Sequence, residues 1–311
     1  MKACRIHRFG APEVISFEDV ECPEPGENEV LVRVRAAGVG PWDSWVRSGQ
    51  SVLPQPLPLT LGADLSGTVA AIGTGVRGFQ LGQAVFGVTN ARFTGACAEY
   101  AVANAGMLAS KPRTVTDLEA ASMPVVAVTA LQMLLSHARL REGQRILIHG
   151  VGGSVGAFAA QLALANGAHV VGTDVKQGVE YAQSLGVANV IDVAETDFAD
   201  RIEPVDIVID TVGGSVHAKS FSVLKRGGYL VSSVTKPDSE LAARQGVSAV
   251  FILVDVTARA LSQIAELVDA GKLQTRIGPI LPLAEARKAH EMLDGLIPRL
   301  PGKIMLTVGS I

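Results

Sequence analysis

From Arg145 to Asp255 the chain alternates short apolar runs with segments of helical character, and this alternation limits the fold more than any other feature. The runs are RILIH (145–149), AHVVGTD (168–174), ANVIDV (188–193), VDIVID (205–210), GYLVSSV (228–234) and VSAVFILVD (247–255). Most are continuously hydrophobic, which means burial on both faces of a sheet. Six such strands separated by helices predict a parallel, doubly wound α/β sheet.

The first of these strands runs into HGVGGSVG, His149 to Gly156, followed by the Ala-rich segment AFAAQLALANG. A glycine-rich turn between a strand and a helix aims the first free N–H groups of the helix at an anion, and glycines let the backbone come close. Gly152 and Gly153 are expected to give that approach. Ser154 caps the helix or donates to phosphate, and Gly156 lets the helix pack on the strand. Val155, counted with the same turn, stands where a literal GxGxxG needs its third glycine; the glycines at 150, 153 and 156 recur every third position instead. Asp174 ends the second strand 18 residues after Gly156, near the spacing of a ribose-binding carboxylate. The turn therefore predicts a nicotinamide dinucleotide. Asp174 suits the free diol of NADH, whereas Lys176 is placed to pair with the 2′-phosphate of NADPH, so both remain open.

The first third is different. EVLVRVRAAGVG alternates Val30, Val32 and Val34 as a half-buried strand does. GADLSGTVAAIGTGV, LGQAVFGV and EYAVANAGML are further short strands with glycine corners, and SVLPQPLPLTLG is an extended loop. These features predict a small barrel or curled sheet. Near residue 117 the pattern turns helical, with Asp117 as the expected cap of a helix through DLEAASMPVVAVTALQMLLSHARL. After Asp255 two amphipathic helices and a last strand, GKIMLTVG, complete the chain.

Of the 311 residues 18% are charged, the formal net charge is −3 and there is no basic block, so a phosphodiester backbone has nothing to bind and no nucleic-acid partner is expected. Cys4, Cys22 and Cys97 are scattered, as free thiols of a reducing compartment are. Neither an apolar leader nor a run of membrane-spanning length is present in the sequence, so the expectation is a cytoplasmic protein without membrane partners.

Taken together, RAAGVGPWDSWVRSG, GADLSGTVAAIGTGVRGFQLGQAVFG, GACAEYAVA, SMPVVAVTALQML, HGVGGSVG, VIDTVGG, LKRGGYLV and GKIMLTV resemble the medium-chain dehydrogenase/reductase superfamily, and within it the zinc-independent quinone oxidoreductases. That branch spaces its small residues as AxxGxxG, which Gly150, Gly153 and Gly156 fit. The resemblance implies a GroES-like β-rich catalytic domain, residues 1–120 with 258–311, and a Rossmann dinucleotide-binding domain with a parallel six-stranded sheet, residues 121–257. It also implies that zinc-using relatives place a ligand Cys where this chain has Gly40, a His where it has Ala63, and a third ligand near Val125. A catalytic zinc needs three such donors, so no zinc is expected.

The same resemblance brings Thr129 toward the nicotinamide, although a helix Thr bonding back to a carbonyl explains it equally simply. Thr211 and Val212, and Ser232 and Ser233, lie at carboxyl ends of parallel strands, where such sheets bind ligands. Phe251 and Leu253 are expected to meet the cofactor through backbone groups. Gly40 and Trp45 stand at positions that line the substrate pocket in relatives. Trp45 favours a flat substrate if it faces the pocket and says nothing if it packs on a loop. Asp43 and Asp64 read either as acidic pocket residues or as a cap and a turn anchor. No residue stands out as a general acid.

The expected activity is NAD(P)H-dependent reduction of small-molecule quinones or other α,β-unsaturated carbonyls. The alternatives are an enoyl-thioester or alkenal reductase on the same scaffold, and an idle NAD(P)H-binding protein. An apolar edge strand near 249–254 predicts a homodimer.

Overall fold

A computed structural model describes residues 1–309 and divides the chain into two units. The first comprises Met1–Val125, Asp255–Gly271 and the segment from Thr275 onward; the second comprises Val126–Val254 with Lys272–Gln274.

The amino-terminal part of the first unit builds β1 (Lys2–Ile6), β2 (Ile15–Asp19), β3 (Glu29–Val39), α1 (Pro41–Ser48), β4 (Leu59–Thr60), β5 (Asp64–Ile72), β6 (Ala84–Val88), β7 (Tyr100–Asn104), β8 (Leu108–Ser110) and α2 (Asp117–Ala121). The second unit runs through α3 (Pro124–Leu131), β9 (Arg145–His149), α4 (Ser154–Ala165), β10 (His169–Asp174), α5 (Lys176–Ser184), β11 (Asn189–Asp192), β12 (Val205–Asp210), α6 (Gly214–Ser220), β13 (Leu224–Ser232), α7 (Ser239–Gln245) and β14 (Ser248–Phe251). The chain then returns with α8 (Ala258–Asp269), β15 (Ile277–Pro282), α9 (Ala286–Leu293) and β16 (Lys303–Thr307).

In the first unit β3 is the organising strand. It pairs antiparallel with β5, β7 and β16, and register shifts between Leu31 and Val32 and between Val34 and Ala36 bend it. The seven-stranded sheet follows the order β15-β16-β3-β5-β6-β8 with β7 on β3, beside a three-stranded sheet β2-β1-β4. Val32 and Val34 are buried while Arg33 and Arg35 are exposed, as the alternation predicts. Beyond Arg35 the strand is buried throughout, because Ala36 packs with Ala121 of α2 and Met305 of β16.

In the second unit the six apolar runs become one parallel sheet in the order β11-β10-β9-β12-β13-β14. Leu147, Val171, Val208 and Leu230 from four of its strands pack with Phe198 and Phe221 on one core. This is the doubly wound arrangement, in which β9 and β12 flank the point where strand order reverses.

Several local expectations are corrected. The helical region after residue 116 starts with Thr116, whose hydroxyl accepts the Glu119 N–H while the Glu119 carboxylate accepts the Thr116 N–H; Asp117 is the first residue inside. The helix is not continuous, since Pro124 lacks an N–H and starts α3 afresh, and Gln132–His137 continues it as a π-helix. Ile277–Pro282 forms β15, parallel to β16, although its two prolines argue against a strand; it pairs on one side only, as an edge strand permits. The edge strand expected near 249–254 is Ser248–Phe251. It ends there because β13 stops at Ser232, the residue opposite Phe251, and only the Ile252 N–H still reaches Ser232 O. None of the described helices is long and apolar enough to cross a membrane.

Candidate functional site

The glycine turn joins β9 to α4 at the carboxyl edge of the parallel sheet. Gly153, not Ser154, is the N-cap of α4, in extended conformation, and Ser154 is the first helical residue. Ser154 leaves the cap because the turn closes one residue earlier, through Gly153 N–H to Gly150 O at 2.9 Å. The helix supplies no acceptor for the first N–H groups, those of Ser154 and Val155. A Cβ on Gly153 would meet only Gly150 O, at 3.1 Å, so that side of the turn is an open cradle.

Two other glycines serve the protein's own packing. A Cβ on Gly156 would fall 2.1 Å from Gly150 O, so α4 presses on the turn as closely as expected. A Cβ on Gly152 would collide with the Gly178 backbone at 2.4 to 2.7 Å, a contact with α5 that the sequence did not reveal. Asp174 closes this corner. Its Oδ2 accepts the Gly152 N–H at 2.7 Å and its Oδ1 accepts the Val175 N–H at 2.8 Å. Each oxygen keeps a further lone pair for a ligand hydroxyl. Lys176 is exposed at the start of α5.

Below the turn lies a buried polar network. His149 is fully buried, its Nε2 2.9 Å from Ser220 Oγ and its Nδ1 2.7 Å from Thr173 Oγ1. Ser220 spends its hydroxyl proton on Val216 O, so Nε2 carries the imidazole proton and Nδ1 accepts from Thr173. Burial pulls His149 down to about 4, against the opposing pull of Asp210.

Asp210, at the end of β12, is completely buried. Its Oδ1 accepts the Val212 and Gly213 N–H groups at 3.0 and 2.8 Å; its Oδ2 accepts the Ser232 hydroxyl at 2.8 Å and faces His217 Nδ1 at 2.7 Å. Burial opposes ionisation, yet these donors together hold the carboxyl below the usual carboxylate range. Ser232 Oγ in turn accepts the Val234 and Thr235 N–H groups. One carboxylate thus orders the loops after β12 and β13.

Thr211, Val212, Ser232 and Ser233 all stand at that carboxyl edge. Thr211 gives its hydroxyl to His149 O at 2.7 Å, Val212 is exposed, and Ser232 is buried and spent on internal bonds. Ser233 is half-buried, Phe251 ends β14, and Leu253 is exposed beyond it. Thr129 is buried in α3. Asp210 and His217 were missed from sequence; an Asp ending the buried strand VDIVID, just before the turn TVGG, was the available signal.

The first unit holds a second polar centre. Gly40 is the N-cap of α1 and Asp43 its third residue, with Asp43 Oδ2 accepting the Gly40 N–H at 2.8 Å. The cap reading of Asp43 therefore holds for that oxygen, while its Oδ1 is buried without a hydrogen-bond partner among the described residues. Burial pushes the Asp43 carboxyl up to about 7 even though Lys303 draws it down. Asp64 Oδ1 accepts the Val125 N–H at 2.9 Å, and its Oδ2 pairs with Lys303 Nζ at 2.9 Å. Trp45 is 41% exposed and meets Trp42 edge to face at 6.1 Å; Trp42 meets Phe93 in the same way at 5.4 Å.

A two-unit chain with a mostly antiparallel first sheet and a 3-2-1-4-5-6 parallel sheet carrying a dinucleotide turn defines a nicotinamide oxidoreductase of the GroES-like plus Rossmann class. Residues 26–113 match the alcohol dehydrogenase GroES-like domain, and residues 185–305 match a family described as zinc-binding dehydrogenase. The quinone oxidoreductase of Sus scrofa is 32% identical over 94% of this chain and 93% of its own. The quinone oxidoreductase structure from Coxiella burnetii is similar at 34% identity and a TM-score of 0.89, covering 99% of both chains. That of Escherichia coli, complexed with NADPH, is similar at 26% identity and a TM-score of 0.89, covering 99% of this chain and all of that one. This chain belongs to the medium-chain dehydrogenase/reductase superfamily, in its quinone oxidoreductase branch, as an NAD(P)H-dependent oxidoreductase.

The open cradle at Gly153 and the carboxylate of Asp174 fit a nicotinamide dinucleotide. Zinc, implied by one family description, does not fit the residues present. Gly40, Ala63 and Val125 offer no donor side chain, and no three His, Cys, Asp or Glu side chains gather as a ligand set among the described residues.

Proposed function

We propose that the protein is a metal-independent reductase that delivers hydride from NADH or NADPH to quinones or other α,β-unsaturated carbonyls. The observation that carries this reading is an open turn at Gly153 in a chain that has Gly40, Ala63 and, near the third position, Val125 where the resemblance places the zinc ligands of metal-using relatives. When bound, the dihydronicotinamide supplies two electrons as a hydride by breaking its C4–H bond. The Ser154 and Val155 N–H groups, approached across the bare Cα of Gly153, hold the pyrophosphate, Gly152 being spent on α5 and on Asp174, and Asp174 accepts the ribose hydroxyls, with Lys176 beside it. Thr129, Thr211, Val212, Ser233, Phe251 and Leu253 position the nicotinamide half, and Ser232 supports them from beneath. A conjugated acceptor spreads the developing charge over its own π system, which suits a site without a Lewis acid.

The Asp174 carboxylate favours NADH over NADPH by repelling a 2′-phosphate. Relatives named as quinone oxidoreductases support the acceptor class. Among the described residues β14 pairs with β13 alone, and an apolar edge of this kind supports a cytoplasmic homodimer in which a second copy of the chain covers it. The test is calorimetric titration with both reduced cofactors, followed by an acceptor panel of quinones, 2-enals and enoyl thioesters. Binding of either cofactor with fastest turnover on quinones or enones supports the reading. Binding without turnover would leave an idle nucleotide-binding protein, and dominance of enoyl thioesters would reassign the acceptor.

A further inference from the structure

Gly178 is the third residue of α5, and its φ lies outside the left-handed region, so the helix itself does not demand a glycine there. Glycine weakens a helix interior relative to alanine, because its backbone loses more freedom on ordering. The reason for it lies in what it packs against. A Cβ on Gly178 would fall 2.1 Å from Asp174 Cγ, 2.2 Å from Oδ1 and 2.5 Å from Oδ2, and these are its three nearest atoms. The Asp174 carboxylate thus fills the space of the missing side chain. The contact of Gly152 with this residue is a separate matter, because a Cβ on Gly152 would meet the Gly178 backbone, which any residue at 178 supplies.

Seated on the bare Cα, the carboxylate is held at both oxygens by backbone. Oδ2 takes the Gly152 N–H of the turn after β9 at 2.7 Å, and Oδ1 takes the N–H of Val175, the N-cap of α5, at 2.8 Å. Neither N–H can follow a moving side chain. A methyl group at 178 would displace all three carboxylate atoms, and rotation about the Asp174 Cα–Cβ bond would carry Oδ2 away from Gly152. Two adjacent hydroxyls need both oxygens at once, each through a lone pair that the backbone bonds leave free.

We propose that Gly178 is a specificity-determining position of the dinucleotide site: its missing side chain seats the Asp174 carboxylate so that both oxygens address the adjacent hydroxyls of an unphosphorylated ribose. Gly178 is a positioning residue and acts only through Asp174. The proposal rests on the dinucleotide reading above. A side chain at 178 turns the carboxylate out of its seat, so the site loses the aim of its hydrogen bonds and keeps its charge. NADH, which offers the adjacent hydroxyls, then binds less tightly. NADPH has its 2′-hydroxyl phosphorylated and has no such pair of bonds to lose. The carboxylate is the end of a half-buried side chain and is free to swing outward, so a methyl group at 178 is compatible with the fold.

Gly178→Ala, Asp174→Ala and the double variant test it, by calorimetry with NADH and NADPH and by thermal unfolding without cofactor. Gly178→Ala alone should raise the Kd for NADH about 10-fold, as expected for lost hydrogen bonds to a charged group, and change that for NADPH by less than about 3-fold. In the Asp174→Ala background, which lacks the three atoms that the methyl group meets, it should change neither Kd by more than about 2-fold. Thermal midpoints should move in opposite directions: down where the methyl group meets the carboxylate, and up where the carboxylate is absent and the helix gains from alanine. Native NADH affinity in Gly178→Ala would overturn the proposal. So would an equal loss for both cofactors that persists in the Asp174→Ala background, since that reports a displaced α5 and not a displaced carboxylate. A native protein that binds neither cofactor would overturn the dinucleotide reading and the proposal together, whereas native binding with either of the preceding results overturns the proposal alone.

Discussion

Asp174 accepts the Gly152 N–H on Oδ2 at 2.7 Å, so the carboxylate that ends the second strand of the parallel sheet is tied to the turn that ends the first. The same group that is proposed to select the ribose also shapes the glycine turn. Asp174→Ser should remove the repulsion of a 2′-phosphate and shift the ratio of kcat/KM for NADPH over NADH upward by about 10-fold or more, where 10-fold corresponds to about 1.4 kcal/mol. Thermal midpoints in the absence of cofactor should fall slightly, as the Gly152 N–H loses its acceptor. An unchanged cofactor ratio would place the ribose elsewhere.

Gly156→Ala inserts a Cβ 2.1 Å from Gly150 O, between two pieces of backbone that have no flexible end to move. Overpacking of this kind costs about 1–3 kcal/mol. Urea unfolding should show that loss, and calorimetry should show weaker binding of both reduced cofactors because the displaced turn carries the Ser154 and Val155 N–H groups.

Buried histidines make stability sensitive to acid. Burial holds His149 at about 4 and, together with the Arg47 guanidinium 3.0 Å from its Nδ1, holds the buried His290 of α9 at about 3, both below the ordinary 6.5. The unfolded chain therefore takes up these protons first as pH falls. The stability they contribute is complete above 6.5 and is lost as pH drops from 6.5 toward 4 for His149 and toward 3 for His290. Each adds a slope of about 1.4 kcal/mol per pH unit inside its window. In urea unfolding, the advantage of the native protein over His149→Gln should shrink between pH 7 and 5. A pH-independent difference would contradict the neutral, doubly hydrogen-bonded imidazole.

Asp43 has the opposite sign. Its folded value, about 7, lies above the ordinary 3.8, so the folded chain holds the proton more tightly. Its contribution is present below 3.8 and is lost as pH rises through about 7. Asp43→Asn preserves the acceptor for the Gly40 N–H and cannot ionise. Its stability relative to the native protein should improve from pH 4 to 7 at up to about 1.4 kcal/mol per unit, measured in the same urea series.

Asp210→Asn should loosen the loops after β12 and β13 together. The carboxylate serves two backbone N–H groups, a serine hydroxyl and an imidazole, and an amide cannot accept from all four. A loss of about 1–3 kcal/mol is expected, with faster hydrogen exchange at Val212 and Gly213.

The parallel sheet was legible because burial on both faces leaves an unbroken apolar run, and each of the six runs became a strand. Gly156 was legible for a similar reason, since the helix can lie on the turn only without a side chain there. β15 was hidden by Pro279 and Pro282, because its tolerance of proline depends on which edge it occupies. Lys303 was hidden more completely. A lysine in GKIMLTV looks like a surface residue, and its partner Asp64 comes from the other end of the chain. His217 and Asp210 lie seven residues apart, but their pairing depends on where α6 starts.

The most direct test is the oxidation of NADH and NADPH by chelator-treated, metal-free protein with 1,4-benzoquinone or an enone as acceptor, followed by the fading of the reduced nicotinamide absorbance. The account predicts acceptor-dependent oxidation that chelation does not diminish and added zinc does not raise. Activity that disappears on chelation and returns with zinc, or reduced cofactor that binds yet is oxidised with none of these acceptors, would contradict it.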